Sequence, residues 1–185
     1  LKRGWIVAVE RNGGQVLWRY VNERAKEPHA AGRHAVAGRM LIVNDLNGGA
    51  FMGLDRFTGQ EVWRHVGPPD RHGANDVFKV VDGVAYLASN DTHVYALDPH
   101  TGRKHWRVSV GGSASSSAVC GDNVFAAGGA LFMLDRATGA RKATLFLDRE
   151  GFVEPDAFVV SRLLAHGSRV YFVGWKAVYA VDCSL

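Results

Sequence analysis

The segment VYALDPHTGRKHW, residues 94–106, decides the fold of this chain. It contains a short apolar strand, a polar turn of the form D-x-x-T-G, and a second strand that carries a tryptophan. The aspartate of such a turn can accept hydrogen bonds from backbone N–H groups further along, and the glycine supplies the positive φ that ends the turn. Related phrases are GLDRFTGQEVW, AVERNGGQVLW and MLDRATGARKA, at residues 53–63, 8–18 and 133–143.

The repeated phrase keeps a nearly constant period along the chain. The glycines of its four copies are 45, 43 and 37 residues apart: Gly14, Gly59, Gly102 and Gly139. The acidic residues that open the turns follow the same steps and add one of 47 residues: Glu10, Asp55, Asp98, Asp135 and Asp182. A unit of this length with four short strands is typical of a β-propeller blade.

The sequence therefore predicts an all-β chain, a β-propeller of four-stranded antiparallel blades in a single domain over residues 1–185. Apolar segments of strand length alternate with turn clusters. The best helix candidate, residues 21–31, contains Pro28 and has no apolar stripe, so it is interpreted as a long loop. The expected parts are a partial blade at 1–20, whole blades at about 33–66, 76–110 and 114–147, and a partial blade at 158–185.

Residues 94–119, VYALDPHTGRKHWRVSVGGSASSSAV, resemble the pyrroloquinoline quinone (PQQ)-like repeat of β-propellers. The shared features are the Y-A-L-D strand, the T-G turn, the tryptophan and the small Ser/Ala-rich stretch that leads to the next blade. The resemblance implies a partial wheel of about four blades from a propeller of seven or eight. Two alternatives stay open: the end strands form a hybrid blade in a four-bladed wheel, or two chains pair into an eight-bladed one.

The resemblance also implies a structural role for the indoles. In such repeats the tryptophan packs between adjacent blades, against the strand and the glycine of a neighbouring turn. Gly14, Gly59 and Gly102 are expected beneath the three indoles. Ala143 stands where a fourth tryptophan would be, so its blade is expected to dock more loosely. The residues assigned to docking are Trp18, Trp63, Trp106, Gly14, Gly59, Gly102, Gly139, Asp55, Asp98 and Asp135.

Relatives of this repeat type suggest the function. The family includes the propeller lipoprotein of the Bam complex, a non-enzymatic scaffold, and quinoprotein dehydrogenases that hold PQQ and Ca²⁺. The resemblance favours a non-catalytic scaffold for protein–protein interaction in a periplasmic or otherwise extracytoplasmic bacterial assembly. The alternatives are a fragment of a PQQ- and Ca²⁺-dependent dehydrogenase, and a propeller sensor domain of a signalling protein.

The expected partners are other proteins or the missing part of the chain's own propeller. Open blade faces would also allow copies of the chain to form a homo-oligomer. The loops at residues 22–32 and 147–156 are the expected contact surfaces.

The sequence assigns no catalytic, cofactor-binding or metal-binding residue. A quinoprotein site would need two adjacent cysteines and a set of Glu, Asn and Asp ligands for Ca²⁺. The chain has no Cys-Cys pair, so neither PQQ nor Ca²⁺ is expected. The formal net charge of +4 comes without a basic cluster, which argues against a nucleic-acid partner. No apolar run reaches the roughly 18 residues needed to cross a bilayer, so no membrane span is predicted.

Histidine and cysteine residues receive the simpler interpretation. His29, His34 and His72 fall in or beside loops that converge near the axis of a propeller, but they are expected to be solvated loop residues. Cys120 and Cys183 lie far apart in the sequence and form no metal-type spacing. Both are expected to be ordinary buried or half-buried thiols.

Overall fold

The computed structural model describes residues 4–23, 33–45, 50–66, 79–111, 114–128, 130–145, 162–174 and 177–184. All regular structure in these ranges is β-strand, arranged in five antiparallel sheets that follow one another along the chain. In every sheet the spatial order of the strands follows their order in the sequence. Short hairpin connections allow this, because antiparallel neighbours can be joined by tight turns.

The first and second sheets contain six strands. The first sheet pairs β1 (Gly4–Val9) with β2 (Val16–Asn22). The second sheet consists of β3 (Arg33–Ala37), β4 (Met40–Asp45), β5 (Ala50–Asp55) and β6 (Glu61–Val66).

The remaining three sheets contain eleven strands among the described residues. The third sheet consists of β7 (Lys79–Val81), β8 (Val84–Ala88), β9 (His93–Leu97) and β10 (Lys104–Ser109). The fourth consists of β11 (Ser116–Cys120), β12 (Asn123–Ala127), β13 (Leu131–Asp135) and β14 (Arg141–Leu145). The fifth consists of β15 (Leu164–His166), β16 (Arg169–Val173) and β17 (Val178–Asp182).

The middle strands of the third sheet are buried on both faces, and this explains their nearly continuous apolar sequence. Successive side chains of a strand point to opposite faces. Ala85 and Leu87 of β8 pack in a cluster with Ile42 of the second sheet. Tyr86 and Ala88 pack in another cluster with residues of the fourth sheet. Each face of the sheet is thus covered by a neighbouring sheet.

Four apolar cores join the five sheets in series. Besides the two cores of the third sheet, Ile6 and Tyr20 of the first sheet pack on Val43, Met52 and Leu54 of the second. The leading strands β3, β7, β11 and β15 contact one another in turn. Sheets that lie face to face and converge at their first strands form consecutive blades of a β-propeller. This confirms the predicted fold class.

The two cysteines correct the sequence-based expectation. Cys120 ends β11 in the fourth sheet and Cys183 follows β17 in the fifth, and the two form a disulfide. Their Cα atoms lie 5.8 Å apart although 63 residues separate them in the sequence. The expectation of two thiols was wrong because the cysteines become neighbours only when two consecutive sheets pack face to face.

Several expectations concern parts of the chain that the structure does not describe. The proposed contact loop at 22–32 lies outside the described residues except for Asn22, which belongs to β2, and Glu23. The loop at 147–156, His29 and His72 also lie outside them. Within the described ranges, no helix has the length and apolar character to cross a membrane.

Candidate functional site

The D-x-x-T-G turns have a common geometry in the second, third and fourth sheets. The aspartate Oδ1 accepts the backbone N–H groups two and three residues further on, at 2.8 and 3.1 Å for Asp55. The glycine N–H then closes the turn by donating to the aspartate carbonyl, as Gly59 does to Asp55 at 2.8 Å. Asp98 and Asp135 make the corresponding bonds. These carboxylates are therefore used to fix the turns.

The hydrogen bonds lower the pKa values of the turn carboxyl groups. Arg39 donates to Asp55 and, with the backbone N–H groups, holds the pKa of that carboxyl below its usual value. The pKa of Asp135 is lowered strongly, first by Lys142 and then by Thr138. Burial raises the pKa of Asp98, but the donors His100 and Thr101 outweigh it and the net direction is downward. A hydrogen bond to an ionised carboxylate is stronger than one to a neutral acceptor, so ionisation of these carboxyl groups strengthens the turns.

Each described tryptophan of the repeat reaches across to the turn of the following sheet. Trp18 Nε1 of the first sheet donates to the Arg56 carbonyl of the second at 2.8 Å. The same bond recurs at 2.9 Å from Trp63 to Pro99, and at 2.9 Å from Trp106 to Arg136. In all three cases the acceptor is the residue directly after the turn aspartate. Trp63 and Trp106 are buried and Trp18 is half-buried.

The turn glycine forms the platform on which the indole lies. A Cβ added to Gly59 would come 2.5 Å from Trp18, and one added to Gly102 would come 2.6 Å from Trp63. Gly139 has the same relation to Trp106, at 2.8 Å. A side chain at these positions would displace the indole. Each indole thus lies on the glycine of the next sheet.

Gly14 departs from the expected set. A Cβ added to Gly14 would meet no atom of the described chain within 4 Å. The expectation placed Gly14, Gly59 and Gly102 beneath the indoles, whereas the three platforms are Gly59, Gly102 and Gly139. The difference is one sheet. It arises because an indole that projects from the last strand of a sheet faces the following turn, not its own.

Among the residues that the structure describes, no indole lies at the junction between the fourth and fifth sheets, where Ala143 takes the place of the tryptophan. Other contacts join the two sheets there. The disulfide joins Cys120 to Cys183 across the junction. Asn123 Nδ2 donates to the Cys183 carbonyl at 2.7 Å, and Leu163 N donates to Ser116 Oγ at 3.0 Å. The expected loose docking of this blade is therefore corrected to a covalent connection.

Polar side chains add further connections between sheets. Tyr20 of the first sheet donates to Glu61 Oε2 of the second at 2.5 Å and accepts from Arg64 Nη2 at 2.6 Å. Burial and the bond to Glu61 raise the Tyr20 pKa to about 12. Between the third and fourth sheets, Arg136 Nη2 lies 2.5 Å from Asp82 Oδ2.

A groove of about 550 Å³ opens beside Trp106, between the third and fourth sheets. Its charged rim groups are largely paired with each other or with neighbours, since Lys142 Nζ lies 2.9 Å from Asp135 Oδ2 and Arg136 binds Asp82. The groove therefore presents no field of a single sign. The described residues hold no cluster of three or more histidine, cysteine, aspartate or glutamate side chains placed for a metal ion.

The family model described as outer membrane protein assembly factor BamB matches residues 2–184. The chain belongs to the BamB family. No curated protein matches the sequence of this BamB-family chain significantly. Among solved structures it resembles BamB from Moraxella catarrhalis, with 16% identity and a TM-score of 0.70. The match covers 98% of this chain and 53% of that one, so the chain spans about half the length of that BamB.

Two other solved structures share the fold. The quinohemoprotein alcohol dehydrogenase ADHIIG from Pseudomonas putida HK5 matches with 14% identity and a TM-score of 0.76, over 96% of this chain and 37% of that one. The computationally designed Ika4 protein matches with 17% identity and a TM-score of 0.63, over 81% of this chain and 89% of that one. At such identities the likeness concerns the fold alone.

Sequence reasoning missed the polar connections at the junctions. Asn123 opens β12 opposite Cys120, in the position that Met40 and Val84 occupy in the preceding sheets. The amide of Asn123 differs from the apolar residues at the equivalent positions of the other repeats. Ala143, which replaces the tryptophan, lies in the same sheet, so the sequence already contained two departures from the repeat there. No sequence pattern predicts the Tyr20–Glu61 hydrogen bond, because the two residues belong to different repeats.

Proposed function

We propose that this BamB-family chain is part of a non-catalytic propeller that binds other proteins outside the cytoplasm. The observation that carries the proposal is the use of its recurring polar residues. The turn carboxylates of Asp55, Asp98 and Asp135 bind their own backbone, and the three indoles bind the next turn. The repeated motif thus serves the rigidity of the blades, and such rigid frames present variable surfaces for recognition.

The outward face of the fifth sheet resembles the apolar faces that pack between blades, which supports contact with a further blade. Leu164 and Val178 are 64% and 73% exposed. The residues at the matching positions of the fourth sheet, Ala118 and Leu131, are buried against the fifth sheet. The face of the fifth sheet is therefore built like an inter-blade face. A further blade of the same propeller is the proposed cover, and the greater length of BamB from Moraxella catarrhalis supports it.

The outward face of the first sheet has the same character. Val7 and Val21 are 39% and 38% exposed, while Ile6 and Tyr20, next to them in the strands and on the opposite face, pack on the second sheet. Exposed apolar faces of this kind favour association. They are the proposed sites of contact with further blades, or with a second copy when no other blades are present.

The disulfide supports a location outside the cytoplasm. Disulfides persist in oxidising compartments such as the bacterial periplasm and are rare where thioredoxin and glutathione keep thiols reduced. Cys120 and Cys183 are both buried in the junction between two sheets. This agrees with the proposed extracytoplasmic assembly.

Site-specific photo-crosslinking in the periplasm tests the proposal. A crosslinking residue would replace Phe57, exposed at a turn, or Val178 on the end face, with Arg103 as a second turn position. We expect discrete crosslinked proteins from the turn positions and an intramolecular or self-crosslink from Val178. Absence of any protein adduct at the turn positions would contradict the scaffold function. In a parallel assay, a quinone absorbance spectrum retained after mixing with PQQ and Ca²⁺ would instead favour the dehydrogenase alternative.

A further inference from the structure

The fourth junction repeats the geometry of the other three with different chemistry. At the first three junctions, the carbonyl directly after the turn aspartate accepts an indole N–H: Arg56, Pro99 and Arg136. Cys183 stands directly after Asp182, in the same position of the fifth sheet. Its carbonyl accepts the Asn123 side-chain amide at 2.7 Å. The acceptor thus has the same position at all four junctions, whereas the donor at the fourth is an amide and not an indole.

The amide donor is held in orientation by a neighbouring ammonium group. Lys142 Nζ donates to Asn123 Oδ1 at 2.8 Å and lies 2.9 Å from Asp135 Oδ2. Because Lys142 binds the side-chain oxygen of Asn123, the amide nitrogen of Asn123 points toward Cys183. Lys142 directly precedes Ala143, the position from which the indole is missing.

The cysteines occupy positions that have counterparts in the preceding sheets. The hairpin between the first two strands of a sheet closes with the pairs Ala37–Met40, Val81–Val84 and Cys120–Asn123. Cys120 therefore corresponds to Ala37 and Val81, and Cys183 corresponds to Pro99 and Arg136. Both cysteines are buried, at 4% and 8% exposure. The disulfide links the edge of one sheet to the turn of the next, where the other junctions rely on noncovalent contacts.

We infer that the Cys120–Cys183 disulfide, together with Asn123, replaces the indole at the fourth junction and makes the docking of the fifth sheet redox-dependent. Reduction by a dithiol would break the S–S bond, place a proton on each cysteine sulfur, and convert the dithiol into a cyclic disulfide. The three indole junctions contain no disulfide. Reduction should therefore loosen the fifth sheet and leave the second to fourth sheets docked.

Hydrogen exchange monitored by mass spectrometry tests this inference. The oxidised chain would be compared with dithiothreitol-treated chain and with the double variant C120A/C183A, which needs no access of the reductant to the buried bond. We expect exchange about tenfold faster or more in peptides that cover 164–173 and 178–182, in line with local opening of one unit. Peptides that cover 50–55 and 84–97 should be unchanged.

The controls distinguish a disulfide that holds only the fifth sheet from one that stabilises the whole fold. Dithiothreitol should have no further effect on C120A/C183A, because that variant has no disulfide. Adding Asn123→Ala should accelerate exchange of the fifth sheet more in C120A/C183A than in the oxidised chain, since in the oxidised chain the disulfide still holds the junction when the Asn123 hydrogen bond is lost. Unchanged protection of 164–182 in the double variant would overturn the inference. So would an equal loss of protection in all sheets, which would show that the disulfide holds the whole fold. The scaffold proposal does not depend on either result.

Discussion

The indole of Trp63 lies on Gly102, 39 residues further along the chain and in the next sheet. Its N–H donates to the carbonyl of Pro99 in the same turn. The second and third sheets therefore each contribute an indole to the following turn and receive one on their own turn. Because every contact joins nearest neighbours, the run of sheets resembles a repeat protein in which stability is the sum of blades and junctions.

Trp63→Ala should destabilise the chain strongly. Truncation removes a buried indole, its hydrogen bond and the contact with Gly102, and large-to-small changes of buried aromatic residues cost about 3–5 kcal/mol. Urea unfolding followed by circular dichroism measures the loss. Val62→Ala, which alters an exposed residue beside it, is the control and should change the free energy of unfolding by less than about 0.5 kcal/mol. Equal effects of the two substitutions would show that the indole does not dock the sheets.

Gly102→Ala should be more damaging than Gly83→Ala. Both glycines have positive φ, 71° and 75°, so both substitutions introduce the same backbone strain of about 1–2 kcal/mol. Only at Gly102 would the new methyl group meet an indole, whereas nothing lies within 4 Å at Gly83. We expect a further loss of about 1–3 kcal/mol for Gly102→Ala from overpacking. Thermal or urea unfolding of the pair gives the difference, and equal losses would argue against the glycine platform.

Stability should fall in alkali through Tyr20. Its pKa is raised from 10.0 to about 12, first by burial and then by Glu61. The protonated phenol is thus favoured by folding, so its contribution is complete below pH 10 and is lost as the pH rises through about 12. Tyr20→Phe should reduce the slope of stability against pH in this window. An identical slope in the variant, measured by urea unfolding from pH 9 to pH 12, would contradict this role.

Stability should also fall in acid through Asp135. Lys142 and Thr138 lower its pKa below the usual 3.8. Its contribution is therefore present above pH 3.8 and is lost as the pH falls through the lower folded-state value. Asp135→Asn should be less stable than the parent chain at pH 7 and differ less from it near pH 2. A difference that stays constant between these pH values would exclude the carboxylate as its source.

Much of the fold was accessible from the sequence because its strongest signals are local. The turn aspartates, the glycines and the tryptophans lie within about ten residues of each other, so their spacing in the sequence reflects one hairpin. The repeat then indicated four-stranded blades, and the resemblance to PQQ-like repeats implied docking by indoles. The continuous apolar sequence of β8 reflects burial on both faces, and it too is local.

The junction chemistry was less accessible, because it depends on residues that meet only after the sheets pack. Cys120 and Cys183 are 63 positions apart, and their spacing suggests no pairing. The assignment of glycines to indoles was displaced by one sheet, since a sequence does not show which of two neighbouring turns a side chain faces. Aligning the departures Asn123 and Ala143 within one repeat would have indicated a junction of a different kind.

The double-mutant cycle between Trp63 and Gly102 tests the central claim most directly. If the indole lies on the next sheet, Gly102→Ala should cost less in the Trp63→Ala background, where the methyl group has no indole to displace. The expected coupling is about 1–3 kcal/mol, and the matched cycle of Trp63 with Gly59, the glycine of its own sheet's turn, should be nearly additive. Additivity for Gly102 together with coupling for Gly59 would contradict docking across the junction.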